Sequence, residues 1–136
     1  MNKDQLVNAA KDMLDRAFVP YSKFPVGAAL LTKDGKVYQG CNIENAAYPV
    51  TCCAERVAIF KAVSEGERDF EALAVIANTD RPVPPCGACR QVMSEFFSPD
   101  MSVYITSKDM EVKSTTVEEL LPFSFTPEDL EKGRQS

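Results

Sequence analysis

A chain of 136 residues with 45% hydrophobic side chains can close one core without covalent staples, so a single globular domain is expected. The formal charge of -5, with no cluster of Lys and Arg, excludes a nucleic-acid partner and favours a small-molecule one. Histidine is absent, which removes Ser-His-Asp and Cys-His catalysis and any imidazole-held metal; protons must travel on a carboxylate, a thiol, Lys or Tyr.

In chain order, Leu6, Val7, Ala10, Met13, Leu14, Ala17 and Phe18 recur at three and four spacings, predicting an amphipathic helix that stops before Pro20. A nearly all-apolar strand follows over 26–32, then the turn Lys33-Asp34-Gly35-Lys36 and a shorter strand over 37–41. A loop over 42–51 leads to a helix over 53–64, and 73–77 reads as a short apolar strand. Three prolines at 82, 84 and 85 exclude helix and central strand, so Cys86 is delivered from an extended segment into a third helix over 87–97. Strands over 101–106 and 110–114, a helical turn over 117–121 and a polar tail over 132–136 complete the chain, with 1–131 as the domain. The order predicts an α/β fold, a mixed sheet with helices on both faces. The first residues carry no apolar leader, and no stretch approaches the roughly 18 apolar residues of a membrane span, so a cytoplasmic location without membrane partners is expected. Five cysteines, an odd number, read as thiol or metal chemistry rather than disulfides.

The chemistry concentrates in Cys53-Ala54-Glu55 and Pro85-Cys86-Gly87-Ala88-Cys89. A Cys-x-x-Cys pair at a helix entry puts both sulfurs on one side. Alone it also suits a redox pair or half of a structural zinc site. Cys53 at the start of another helix supplies a third sulfur. Three ligands leave a fourth position for water, the coordination of a catalytic rather than a structural zinc. Adjacent residues at a helix start diverge by about 100°, so Cys52 is poorly placed to join Cys53, and Cys41, ending a strand, reads as a small buried hydrophobe. Three thiolates around Zn²⁺ leave one net negative charge. The two helix N-termini and Arg56, three residues after Cys53, are the expected compensation, with Arg90 a weaker candidate. Glu55 is the expected general base and acid, its pKa raised by burial.

Five ordered motifs carry a resemblance over nearly the whole chain: Tyr21-Ser22-Lys23-Phe24-Pro25-Val26-Gly27-Ala28-Ala29-Leu30, Gly40-Cys41-Asn42-Ile43-Glu44-Asn45-Ala46-Ala47-Tyr48, Thr51-Cys52-Cys53-Ala54-Glu55-Arg56, Pro85-Cys86-Gly87-Ala88-Cys89-Arg90-Gln91, and Leu120-Leu121-Pro122 with Phe125. They resemble the small homotetrameric cytidine deaminases with three cysteine ligands. The resemblance implies a three-layer α/β/α fold with a mixed five-stranded sheet, and one zinc per subunit. It implies hydrolytic deamination of cytidine and 2'-deoxycytidine, as in pyrimidine salvage. It further implies that Phe24 stacks on the base, Asn42 and Glu44 hold the ribose, the Ala54 N–H and the Pro84 carbonyl meet the base, and Tyr48 and Phe125 reach a neighbouring subunit's site. Tyr48 and Phe125 read equally as local core residues, and ordinary core is the lesser alternative for Phe24. A related aminohydrolase of a cytosine nucleoside antibiotic, or a non-catalytic zinc or thiol-redox protein, remains an alternative. Tyr48-Pro49-Val50 and Phe123 depart from the family's usual pattern.

Overall fold

The computed structural model describes residues 1–135. Its strands are β1 (Val26–Thr32), β2 (Val37–Cys41), β3 (Phe70–Ala77), β4 (Ser102–Thr106) and β5 (Val112–Thr116). Its helices are α1 (Lys3–Lys11), α2 (Ala54–Ser64), α3 (Gly87–Phe96), α4 (Val117–Leu120) and α5 (Pro127–Gln135). The strands form one mixed sheet in the order β2-β1-β3-β4-β5. β3 and β4 run parallel, and the other neighbours are antiparallel.

Strand periodicity of two divides the apolar residues between two cores. Ala28, Leu30, Leu73, Val75, Val103 and Ile105 face the side of α2 and α3, while Ala29, Leu31, Ala72, Ala74 and Ile76 face α1. Burial on both faces explains why β1 and β3 are almost continuously apolar instead of alternating. The result is the three-layer arrangement that the element order and the resemblance implied. Two glycines let the layers close. A Cβ on Gly27 would lie 2.1 Å from the Ala10 carbonyl oxygen, and one on Gly40 would lie 2.5 Å from that of Ala54. α1 therefore seats on one face at Gly27, and the first turn of α2 on the other at Gly40.

The site's position follows from topology. β2 and β3 are both antiparallel to β1, so they run the same way. The helices that follow them, α2 and α3, thus begin at the same end of the sheet, where α/β folds gather their ligands.

Four elements differ from the sequence expectation. The first helix ends at Lys11 and is followed by a 3-10 turn, Leu14–Arg16, instead of continuing to Phe18. Phe18 leaves the helical path because its backbone pairs with the loop: its N–H donates to the Asn42 carbonyl and its carbonyl accepts from Glu44 N–H. β3 starts at Phe70 and β5 runs to Thr116, both displaced from the apolar runs because ladder pairing extends into polar residues. Residues 132–135, assigned to a polar tail, form the last turn of α5; Ser136 lies outside the described residues. Thr126 starts that helix by exchanging hydrogen bonds with Asp129, with Pro127 at the first helical position.

Candidate metal and active site

Cys53 and Cys86 are the N-cap residues of α2 and α3, both extended in backbone (ψ 154 and 167°), and neither uses its side chain to cap. The sulfurs are thereby free to point away from the helices, and the first-turn N–H groups stay open to a ligand. Cys89 lies one turn up α3 and is fully buried. The three Sγ atoms lie within 4.8 Å of one another, with Cys53–Cys86 at 3.9 Å and Cys86–Cys89 at 3.4 Å. Thiolates on a tetrahedral zinc with Zn–S of about 2.3 Å stand about 3.8 Å apart. The cluster therefore fits one zinc ion per chain. Cys52 is half-buried outside the cluster, and Cys41 is buried with its thiol donating to the Arg16 carbonyl at 3.4 Å.

Charge in the cluster is already polarised. A hydrogen bond from the Cys89 thiol, with the Arg56 guanidinium adding to it, pulls the Cys53 thiol well below its ordinary pKa, against the effect of burial. The Cys89 thiol is pushed up, by donating to Cys53 and by burial. Arg56 Nη2 donates to Cys53 Sγ at 3.2 Å. Its Nε is buried with no hydrogen-bond partner, and no carboxylate pairs with it among the described residues, so its charge is set against sulfur alone. Glu55, one residue into the same helix, is 4% exposed. Burial first, and the Cys53 thiolate to a smaller extent, raise its pKa to about 7. A carboxyl that titrates near neutrality can both take and return a proton.

Cys53, Glu55 and Cys86 floor a cavity of about 370 Å³ whose walls include Phe24, Asn42, Glu44, Tyr48, Ala54 and Pro84. Phe24 is 41% exposed, with its ring on the cavity rather than in either core. Asn42 fastens that wall, since Oδ1 accepts from Val26 N at 2.9 Å and Nδ2 donates to the Phe24 carbonyl at 2.8 Å. Glu44 accepts from the Tyr21 and Ser22 backbone N–H groups and from the Ser22 hydroxyl, which holds its carboxyl below the usual range, the hydroxyl contributing most. Tyr48 is 82% exposed at the cavity mouth, on the 3-10 turn Tyr48–Val50. Phe125, 61% exposed, lies outside its own chain's cavity. Neither aromatic is a local core residue. Ser22 is a wall residue that the sequence did not single out; its place in Tyr21-Ser22-Lys23-Phe24 was the available signal, and in the structure it precedes the positive φ of Lys23.

Comparison with known proteins agrees with this geometry. The family model for the cytidine and deoxycytidylate deaminase zinc-binding region matches residues 1–105. A cytidine deaminase of Sporosarcina psychrophila is 57% identical over 130 residues, covering 96% of each chain. One of Halalkalibacterium halodurans is 55% identical over 130 residues, covering 96% of this chain and 98% of the relative. The crystal structure of a cytidine deaminase from Burkholderia pseudomallei superposes with a TM-score of 0.90 at 48% identity, covering 92% of this chain and all of that one. With a sulfur trio, a buried neutral-range carboxyl and a sheet-end cavity in place, the chain belongs to the zinc-binding cytidine and deoxycytidylate deaminase family.

Proposed function

We propose that this protein hydrolyses cytidine and 2'-deoxycytidine to uridine and 2'-deoxyuridine, releasing ammonia. The observation that carries the reading is a nearly buried Glu55 with a pKa of about 7, one residue along the helix from Ala54 and two from a cluster sulfur. Cys53, Cys86 and Cys89 would hold the zinc ion, which would supply the Lewis acid that brings the hydrolytic water into the neutral pKa range. Glu55 accepts one proton of the attacking water and passes it to N3 of the pyrimidine; it then takes the second proton from the oxygen newly bonded to C4 and delivers it to the amino group, which leaves as ammonia when the C4–N bond breaks and the C4 carbonyl forms. The oxygen added at C4 replaces the nitrogen lost, so water and cytidine balance uridine and ammonia. The Ala54 N–H, at the first position of α2 and without an intrahelical acceptor, orients the base, and Phe24 gives it a stacking face. The Pro84 carbonyl accepts from the exocyclic amino group.

Asn42 and Glu44 hold the sugar hydroxyls while keeping their grip on the 21–26 wall. Among the described residues no lysine or arginine lines the cavity, and two carboxylates do, which favours a nucleoside over its 5'-phosphate. Arg56 drains negative charge from Cys53 so that the metal stays an effective Lewis acid. The exposure of Tyr48, Phe123 and Phe125 supports a homotetramer in which these aromatics meet neighbouring chains. Five free thiols suit a reducing cytoplasm, and the products suit pyrimidine salvage.

The test combines zinc content with ammonia release from cytidine, deoxycytidine, deoxycytidylate and a blasticidin-type nucleoside. The two nucleosides should be hydrolysed and the nucleotide left intact. Glu55→Ala should retain zinc and lose turnover; a wild-type rate in that variant removes Glu55 from the mechanism.

A further inference from the structure

Arg90 directly follows Cys89 yet is turned away from the sulfurs. Its Nε donates to the Pro85 carbonyl at 2.8 Å, and its Nη1 donates to the Leu120 carbonyl at 2.8 Å. The segment 82–85 needs such a tie. Its three prolines have no N–H, so it cannot join a strand ladder or cap itself. Among the described residues the Arg90 bond is the hydrogen bond that anchors 83–85 to another element. At the other end, Leu120 closes α4, whose last carbonyls lack helical partners. Next along α3, Gln91 Nε2 donates to the Phe125 carbonyl at 3.1 Å. One guanidinium thus ties the cavity wall at Pro85, next to Pro84, to the end of α4, with the strong geometry of a charged, forked donor, while Gln91 holds the segment that carries Phe125.

We propose that Arg90 is a positioning residue for recognition of the exocyclic amino group: it sets the Pro84 carbonyl at the distance where it accepts from a 4-amino substituent, a bond that a 4-keto substituent cannot make. The assignment rests on the deaminase reading given above. It is separate from charge compensation, since both polar contacts of Arg90 go to carbonyl oxygens. Releasing the wall weakens the ligand that donates to Pro84, cytidine, and leaves the one that cannot donate, uridine, unaffected.

Arg90→Met keeps the stem and removes both donors, and Arg90→Lys keeps one point donor. Both are measured with zinc content, the KM and kcat for cytidine, and competitive inhibition by uridine. In Arg90→Met the cytidine KM should rise roughly five- to tenfold, the size of one lost hydrogen bond, with the uridine inhibition constant within about twofold of wild type. Arg90→Lys should fall between, and it supplies the ratio if the Met variant does not fold. Parallel weakening of cytidine and uridine, or an unchanged ratio, overturns the assignment. A wild-type protein that releases no ammonia from cytidine overturns the deaminase reading first, and the proposal with it.

Discussion

Gly40→Ala tests how closely catalysis is tied to the seating of α2 on the sheet. The added Cβ would stand 2.5 Å from Ala54 O, 2.6 Å from Ala58 N and 3.1 Å from Ala58 Cβ. The two shorter contacts are to backbone atoms of a helix that cannot rotate aside, so opening the shortest to an ordinary 3.4 Å requires the first turn to retreat by about 0.9 Å. That turn carries Glu55 and begins at Cys53. Overpacking of this kind costs about 1–3 kcal/mol of stability, and a misplacement near 1 Å at reacting groups costs about 100-fold in rate. The control is Gly27→Ala, whose Cβ would be 2.1 Å from Ala10 O on the opposite face of the sheet, among residues that do not line the cavity. Both variants are to be followed by thermal melting and by the loss of cytidine absorbance per zinc-loaded chain. Gly40→Ala should lose both stability and kcat/KM, and Gly27→Ala stability alone. Equal losses of activity, or a wild-type rate in Gly40→Ala, would refute the claim that helix seating sets the site.

The remaining predictions address charge. Glu55 has a folded pKa of about 7 against an ordinary 4.5, so the metal-free fold prefers it protonated, and its contribution is lost as pH rises through that interval. In metal-free protein, urea unfolding should therefore show Glu55→Gln gaining on wild type by about 2 kcal/mol from pH 5.5 to 7.5 and no further above it; a gap independent of pH removes burial as the cause. Arg56→Gln should bind zinc with a melting temperature near wild type while kcat falls roughly 10- to 100-fold, the usual cost of losing a partner of a metal ligand. Chelating the metal should abolish turnover and lower the melting temperature, with both restored by zinc; activity that survives demonstrated metal loss contradicts the proposed chemistry. Glu44→Gln keeps shape but weakens acceptance from Ser22 and Tyr21, so the KM for cytidine should rise more than kcat falls.

How much of this was legible beforehand depends on range. Cys53, Glu55, Cys86 and Cys89 were readable because short-range spacing places them at helix starts, and a metal then gathers what the helices present. The sheet followed from apolar runs in β1 and β3, which local composition encodes. Arg90 was read as a spare cation near the metal because its true partners, Pro85 and Leu120, include one thirty residues away, a contact that no local pattern marks. The early end of α1 was similarly hidden, since Phe18 is drawn from its helix by backbone pairing with the distant loop at 42–44. α5 differs: Thr126-Pro127-Glu128-Asp129 is a helix start written in sequence, masked by a polar composition that lacks an apolar stripe.

The bonds that Asn42 and Glu44 make to the 21–26 segment bear on any effort to retool this scaffold. Because the side chains proposed to read the sugar also brace the backbone beneath the base platform, the two halves of the ligand share one truss. Redesign toward free cytosine by clipping Glu44 would slacken the grip on the ring as well. Altered sugar preference would have to come from residues that leave that brace intact.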